Sequence, residues 1–465
     1  MPRKVIVIGA GPAGYVCAIR LAQLGQEVTV VEKEYVGGVC LNVGCIPSKA
    51  MIAAGALMSR AHEASAMGIT FKDMKVDIGK LVEWKAGIVG KLTGGIAGLL
   101  KNHKVPVVMG TASLKDKNTV VVKTKDGEQI LKGDDIVIAT GSIPIEIPGF
   151  AFDEDKVWSS TGALRPKKIP EHLVVIGGGY IGLELGIMYR KLGSKVTVLE
   201  ATPGALPGQE RDCVRVIERS LKKMGVELLT ETMAQGFEHK GGKSYVRIKT
   251  KKGEDTVVCD QVLSTVGRRP FSAGLGLEKA GLAVDAKGFL AVDKHMRTKV
   301  ANIYAIGDIA GQPMLAHKGS KEGLVAAAVI AGQKDEYDAR CVPAVIFTSP
   351  EMASVGLTEE QCKEKGLTYK TGSFPFAASG RAMSLMETDG MVKMIVDAKT
   401  DEILGVHMVG PEVTELIAEA ALAIEMGATA EDIARTIHAH PTLPEALMEA
   451  AEAVHGMAVH IYQKK

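Results

Sequence analysis

The hydrophobic pattern begins almost at the first residue. Lys4 leads into a β-branched run, Val5–Ile8, which stops at Gly9-x-Gly11-x-x-Gly14. Apolar residues then recur at helical spacing, and a second β-branched run over 27–31 closes on Glu32. Strand, glycine turn, helix and strand are predicted in that order. The unit recurs further along: a run over 173–176, then Gly177-x-Gly179-x-x-Gly182, a helix, and a strand ending at Glu200. The separation is that of a whole domain, not of a solenoid repeat. Each unit has the form of a βαβ dinucleotide-binding fingerprint. Gly9 permits the tight turn, Gly11 lets a pyrophosphate approach the backbone, and Gly14 lets the helix pack on the strand. The helix N-terminus offers amide donors and a positive dipole end to phosphates, and Glu32 can hydrogen-bond a ribose. A glycine-rich turn that binds nothing is the alternative; the flanking strands and the closing acid weigh against it. Two units imply two bound dinucleotides.

Between the units, residues 120–149 read as strands, with Lys125-Asp126-Gly127 as a hairpin turn. Ala139-Thr140-Gly141-Ser142 ends a buried strand, and Pro144 and Pro148 mark a crossing between domains. "VLSTVGRRP" (262–270) repeats strand, glycine and proline, and "NIYAIGDIAG" (302–311) is a strand ending at Gly307-Asp308. From about Cys341 the texture changes to strands such as 391–397, followed by Ala- and Glu-rich helices over 412–426, 429–437 and 443–454. The expected fold class is α/β, with two Rossmann-like dinucleotide-binding domains and a separate C-terminal α+β domain. The expected bounds are 1–149, 150–271, a central 272–341 and 342–465.

At 465 residues the chain is too long for one core. Its 46% hydrophobic and 24% charged residues are ordinary for a globular protein. A net charge of +2, with no basic run beyond patches such as Lys249–Lys252, argues against nucleic acid as a partner. No apolar run is expected to span a bilayer. The first strand starts too early to leave room for a signal peptide. A non-secreted protein is therefore expected, in a bacterial cytoplasm, or in a mitochondrial matrix or plastid after loss of a presequence.

Seven cysteines in a chain this long do not suggest a secreted disulfide scaffold. Cys17, Cys213, Cys259, Cys341 and Cys362 are scattered, whereas Cys40 and Cys45 form a close pair in "GGVCLNVGCIPSK" (37–49). A closed zinc site needs four ligands and a second knuckle, which is missing, so no metal is expected. A structural disulfide closing so short a loop would add little stability. A redox pair suits the context better. Cys45 sits at the start of a helical stretch over 46–66, with Pro47 in its first turn, where amides and dipole favour thiolate. Cys40 is expected in the preceding glycine-rich loop, more exposed and able to exchange with an outside dithiol. "HAHPTLPE" (438–445) offers a base, His440, with Glu445 to hold its tautomer. Alone, such a histidine is more often structural; beside a cysteine pair and two nucleotide folds it is a catalytic candidate.

Taken together, "GGVCLNVGCIPSK", "ATGS", "GGGYIGLELG", "GRRP", "YAIGD" with "LAHK", and "HAHPTLPE" make the chain resemble the class I pyridine nucleotide–disulfide oxidoreductases. Within them it is most similar to the dihydrolipoamide dehydrogenases, the E3 components of 2-oxo acid dehydrogenase and glycine cleavage systems. The likeness runs along nearly the whole chain; Val39 and Pro444 are minor departures. It implies FAD on the first unit, with Glu32 on the adenosine ribose, Asp308 at the ribityl chain, and Gly110, Ala112, Thr140, Gly141, Ser142 and Ala316 lining the site. It implies NAD on the second, with Gly177, Gly179 and Gly182 at the pyrophosphate, Glu200 on the ribose, and Gly267 among the cofactor contacts. Lys49 would lie beside the flavin, paired with Glu184, where a cation stabilises a reduced ring; an ordinary solvated pair is the alternative. NAD rather than NADP also follows from the residues. A 2′-phosphate would meet the Glu200 carboxylate, and residues 201–208 carry no Arg or Lys.

The implied reaction is oxidation of dihydrolipoamide to lipoamide with reduction of NAD, through a Cys40–Cys45 redox disulfide and a His440–Glu445 base. The implied partners are dihydrolipoyl groups on E2 or H-protein, an E2 subunit-binding domain, and a second copy of the chain, since in this family the histidine comes from the other subunit. The segment 272–341 would complete the FAD site and 342–465 would form the dimer interface. Another disulfide or mercuric reductase is the alternative enzyme. Mercuric reductases usually carry a C-terminal cysteine pair, and no cysteine follows Cys362 here. A non-catalytic assembly subunit is the other class, and the intact Cys40, Cys45 and His440 set argues against it.

Overall fold

The computed structural model describes residues 1–463, so the last two residues of the expected 342–465 segment lie outside it. The first fingerprint builds a five-stranded parallel sheet. Its order is Ile303–Ala305, Asp135–Ile138, Lys4–Ile8, Glu27–Glu32 and Val107–Met109. The unbroken apolar run at its centre reflects burial on both faces. Val5 and Val7 pack with Cys17, Leu21 and Val325, while Ile6 and Ile8 pack with Leu114, Val120 and Ile136. The strand from the central segment is thus an edge of the first sheet, not a separate layer.

The second fingerprint repeats the plan, with strands Glu227–Leu229, Lys195–Leu199, His172–Ile176, Gln261–Ser264 and Val157–Trp158, again all parallel. Each unit also carries a three-stranded antiparallel meander, over 111–132 and 233–259. Thr124 pairs with Gly127, so Lys125 and Asp126 form the two-residue turn expected there. The two crossing segments find each other: Ser142–Pro144 pairs antiparallel with Arg268–Pro270.

The C-terminal part is a five-stranded antiparallel sheet, including Met391–Asp397, backed by helices Val413–Met426, Ala430–Arg435 and Glu445–Val454. These helices are slightly shorter than the apolar pattern predicts. Thr429 stays outside as a cap in a capping box with Asp432, and Pro444 occupies the N-cap of the last helix.

Gly38–Met67 is a helical stretch long and apolar enough to cross a membrane by length and composition alone, with a window of mean hydropathy 1.4. Its residues are largely small (Ala, Gly, Ser, Cys) and pack against helices Ile78–Asn102 and Tyr180–Lys191.

Candidate active site

Gly44, at φ −138° and ψ −113°, breaks the chain between a short helix, Gly38–Val43, and the long helix Cys45–Glu63. Cys40 projects from the first and Cys45 opens the second, so the break turns the two sulfurs toward each other. Both are unbonded thiols, and Cys40 hydrogen-bonds Cys45. That bond, followed by burial acting in opposition and then by the charge of Lys49, leaves the Cys45 thiol lowered to about 7. The same contact and burial push Cys40 strongly up. The directions of the two shifts favour thiolate at Cys45 over Cys40. Cys40 lies on a short helix near Tyr15 rather than in a loop. Sequence placed Cys40 in a loop because the glycines at 37, 38 and 44 read as loop; here they bound a short helix instead.

One turn into the long helix, Lys49 Nζ lies 2.7 Å from Glu184 Oε2. Glu184 is buried and also accepts a hydrogen bond from the Phe347 amide at 2.9 Å. Lys49 sits 4.5 Å from the centre of the Phe347 ring. An ordinary solvated pair does not describe this geometry: it joins the first unit, the second unit and the C-terminal part beside Cys45.

The two glycine loops are built alike down to single hydrogen bonds. Glu32 accepts from the amides of Ala10 and Glu34, each at 2.7 Å. Glu200 accepts from the amides of Gly178 and Thr202, each at 2.7 Å. Each acid thus fastens its loop to its strand and retains lone pairs for a ribose hydroxyl. Gly9 has φ +107°, and a Cβ there would meet the Ala139 carbonyl at 2.3 Å. A Cβ on Gly14 would lie 2.0 Å from the Gly9 carbonyl, and one on Gly182 would lie 2.1 Å from the Gly177 carbonyl. The helices that follow start at Gly11 and Gly179 with no side-chain cap, so their first-turn amides stay free for phosphate. These residues fit two dinucleotides.

The remaining candidates cluster where the crossing segments meet. Thr140 Oγ1 donates to the Phe271 carbonyl at 2.7 Å, and Gly141 accepts from the Phe271 amide at 2.9 Å. Ser142 Oγ donates to Asp308 at 2.5 Å. Gly110 donates to the Glu32 carbonyl, and Gly267 accepts from the Ile145 amide. Ala316 opens the helix Ala316–Ile330. Ala112 is different, since its methyl is buried in the core with Leu114 and Val120, and only its backbone can face a ligand.

Two arginines escaped sequence reasoning. Arg268 donates to Ser142 Oγ at 2.8 Å and to the Ser142 carbonyl at 2.6 Å, so it holds the Ser142–Asp308 pair. The motif "GRRP" contained it, but nothing local showed its partner. Arg211 folds back from the next helix to the Ala205 carbonyl and pairs with Glu218 at 3.5 Å. A cation therefore stands by the 201–208 loop, already engaged.

In the C-terminal part, His440 Nδ1 and Glu445 Oε1 lie 2.8 Å apart, and Glu445 Oε2 accepts from the Thr442 amide at 2.7 Å. Burial pushes the Glu445 carboxyl up, but the Thr442 amide and His440 outweigh it and hold it below its usual range. The His440 side chain is 80% exposed. Among the described residues, no hydrogen bond or ion pair links His440 or Glu445 to Cys40 or Cys45. The structure brings together two sets, the cysteines with Lys49 and Glu184, and the histidine with its acid.

Comparison with known proteins agrees with this architecture. A family model described as pyridine nucleotide-disulphide oxidoreductase matches residues 3–323, and one described as the dimerisation domain of the same family matches 342–451. A dihydrolipoyl dehydrogenase of Bacillus subtilis is 52% identical over 457 residues, covering 98% of this chain and 97% of the relative. One of Geobacillus stearothermophilus is 50% identical over 461 residues, covering 99% and 98%. Among solved structures, LpdA from Mycobacterium tuberculosis superposes with a TM-score of 0.90 at 28% identity, over 97% of this chain and 99% of that one. The HOCl-induced flavoprotein disulfide reductase RclA from Escherichia coli gives 0.86 at 29% identity, over 97% and 99%. The chain belongs to the pyridine nucleotide–disulphide oxidoreductases, within the dihydrolipoyl dehydrogenase family.

Proposed function

We propose that the protein oxidises dihydrolipoamide to lipoamide and reduces NAD to NADH, with FAD held by the first unit and NAD by the second. The observation that carries this reading is the Cys40–Cys45 pair beside the Lys49–Glu184 ion pair, which joins the two dinucleotide-binding units.

Cys40 and Cys45 begin as a disulfide. His440 of the partner subunit takes a proton from one substrate thiol, with Glu445 orienting the ring and stabilising its charge. The substrate thiolate attacks Cys40 Sγ, the Cys40–Cys45 bond breaks, and Cys45 leaves as thiolate. The second substrate thiol displaces Cys40 from the mixed disulfide, lipoamide departs, and Cys40 keeps a proton. The product state is a Cys40 thiol beside a Cys45 thiolate, in keeping with the opposite directions in which the two thiols are shifted. When bound, FAD and NAD supply the two-electron relay that returns the dithiol to disulfide. Glu32, Asp308, Gly9, Gly11, Gly14, Gly110, Ala112, Thr140, Gly141, Ser142 and Ala316 hold the FAD. Gly177, Gly179, Gly182, Glu200 and Gly267 serve the NAD, and Lys49 with Glu184 sets the charge beside the reacting sulfur.

The protein works as a homodimer, which the matched dimerisation domain supports. Its substrate groups are carried by E2 or H-protein, and its compartment is the cytoplasm. The division 1–149, 150–271, 272–341 and 342–465 is proposed on the same reading, the third segment serving the first through its strand Ile303–Ala305. The test is NAD reduction by dihydrolipoamide, run beside NADPH-driven reduction of glutathione disulfide and of mercuric ion. Fast NADH formation with little of the other two is expected. Activity on another acceptor with none on dihydrolipoamide would remove the substrate assignment and keep the thiol chemistry.

A further inference from the structure

Helix Ala316–Ile330 carries a buried ion pair that the proposed chemistry does not use. Lys318 Nζ and Glu322 Oε1 are 2.7 Å apart, with side chains only 7% and 5% exposed. Burying two charges costs several kcal/mol before their attraction is counted, so such a pair is weak evidence for stability alone. Each partner also makes a second contact, and both contacts fall on one short turn. Glu322 Oε2 accepts from the Gly307 amide at 2.7 Å, and Lys318 Nζ donates to the Gly311 carbonyl at 3.1 Å. Between those two anchor points lies Asp308, in the single turn Gly307–Ile309, hydrogen-bonded to Ser142.

The same helix presses on the first glycine loop. A Cβ on Gly319 would lie 3.1 Å from both Ala13 Cβ and Gly307 Cα, and one on Gly323 would lie 2.7 Å from the Ala13 carbonyl. Ala13 belongs to the first turn of helix Pro12–Gln23. The helix therefore stands behind both expected FAD contacts, its glycines against the turn after the pyrophosphate loop and its ion pair against the Asp308 turn.

We propose that Lys318 and Glu322 are positioning residues for FAD, a clamp that holds the Gly307 amide and the Gly311 carbonyl so that Asp308 is presented in one orientation. The inference rests on the proposed FAD site. Its basis is reach as well as charge. Glu322→Asp keeps the charge but draws the carboxylate back by one methylene, away from the Gly307 amide. Lys318→Met with Glu322→Gln removes both charges, strands neither, and leaves a carbonyl for that amide.

The test measures FAD release from the purified full-length protein by the rise in flavin fluorescence, with thermal unfolding of the FAD-stripped chain alongside. Glu322→Asp is expected to release FAD about tenfold faster. The Lys318→Met/Glu322→Gln protein is expected to stay within about threefold of the unaltered one. Unchanged release in folded Glu322→Asp protein overturns the clamp. So does the reverse ranking, because charge alone would then govern. Should Glu322→Asp not fold, the double variant decides: a folded chain that loses FAD more than tenfold faster overturns the proposal, and retention supports it. An unaltered protein that carries no flavin would instead overturn the FAD reading itself.

Discussion

Lys49 and Glu184 come from different nucleotide-binding units, and their 2.7 Å ion pair joins the two beside Cys45. Lys49→Met removes a charge that helps lower the Cys45 thiol, and leaves the buried Glu184 carboxylate with only the Phe347 amide. The variant is expected to lose about 2 kcal/mol in urea unfolding, below the range of about 3–5 kcal/mol for a fully buried pair because the lysine is partly exposed. Its Cys45 should titrate above the parent's value. A Cys45 titration identical to the parent's would show that Lys49 does not act on the sulfur.

The reduced protein is expected to show one thiolate titrating with a midpoint at about pH 7, since Cys45 is lowered to about 7 while Cys40 is pushed far up. Thiolate is present above that midpoint and lost below it. Cys40→Ala removes the largest stabilising contribution, so the midpoint should move upward toward an ordinary thiol. Ultraviolet thiolate absorbance and iodoacetamide rates against pH both read it. A midpoint unchanged in Cys40→Ala would refute the hydrogen bond as the cause.

His440→Gln is expected to cut turnover about a hundredfold to ten-thousandfold, the usual range for a lost proton-transfer group. Gln can keep a hydrogen bond to Glu445, so the melting temperature should hold. Glu445→Gln should cost less activity, since it keeps the Thr442 contact while losing the charge beside the imidazole. Equal losses of turnover and of stability in His440→Gln would point to a structural histidine.

The second glycine loop offers a comparison of two alanines. A Cβ at Gly179 meets nothing within 4 Å, whereas one at Gly182 lies 2.1 Å from the Gly177 carbonyl. Gly182→Ala should therefore displace the helix and lower thermal stability as well as NAD affinity. Gly179→Ala should leave unfolding unchanged and weaken NAD by about tenfold, since only the dinucleotide would meet the new methyl. Isothermal titration with NADH beside thermal melts separates the two. Unaltered NADH affinity in Gly179→Ala would move the pyrophosphate elsewhere.

Much of the architecture was legible along the chain, because strands and helices leave local periodicities and the glycine loops need a particular residue at each tight approach. Gly9 with Gly14, and Gly177 with Gly182, are such positions: the backbone conformation or the nearest atom excludes a side chain whatever the rest of the fold does. The closing acids, the cysteine pair and the His440–Glu445 spacing are short-range features and could be read in the same way.

The sequence by itself determined the two repeated units, the change of texture near Cys341, and which residue types were available for thiol and proton chemistry. Only the tertiary structure decided how they face one another. Cys40 lies on a short helix that Gly44 separates from the one Cys45 opens, an arrangement the glycines had hidden. Arg268 reaches Ser142, Glu184 reaches Lys49, and Glu322 reaches the Gly307 amide through chain closure. Such contacts depend on side-chain direction and on how sheets and helices pack, and periodicity along a single chain carries neither.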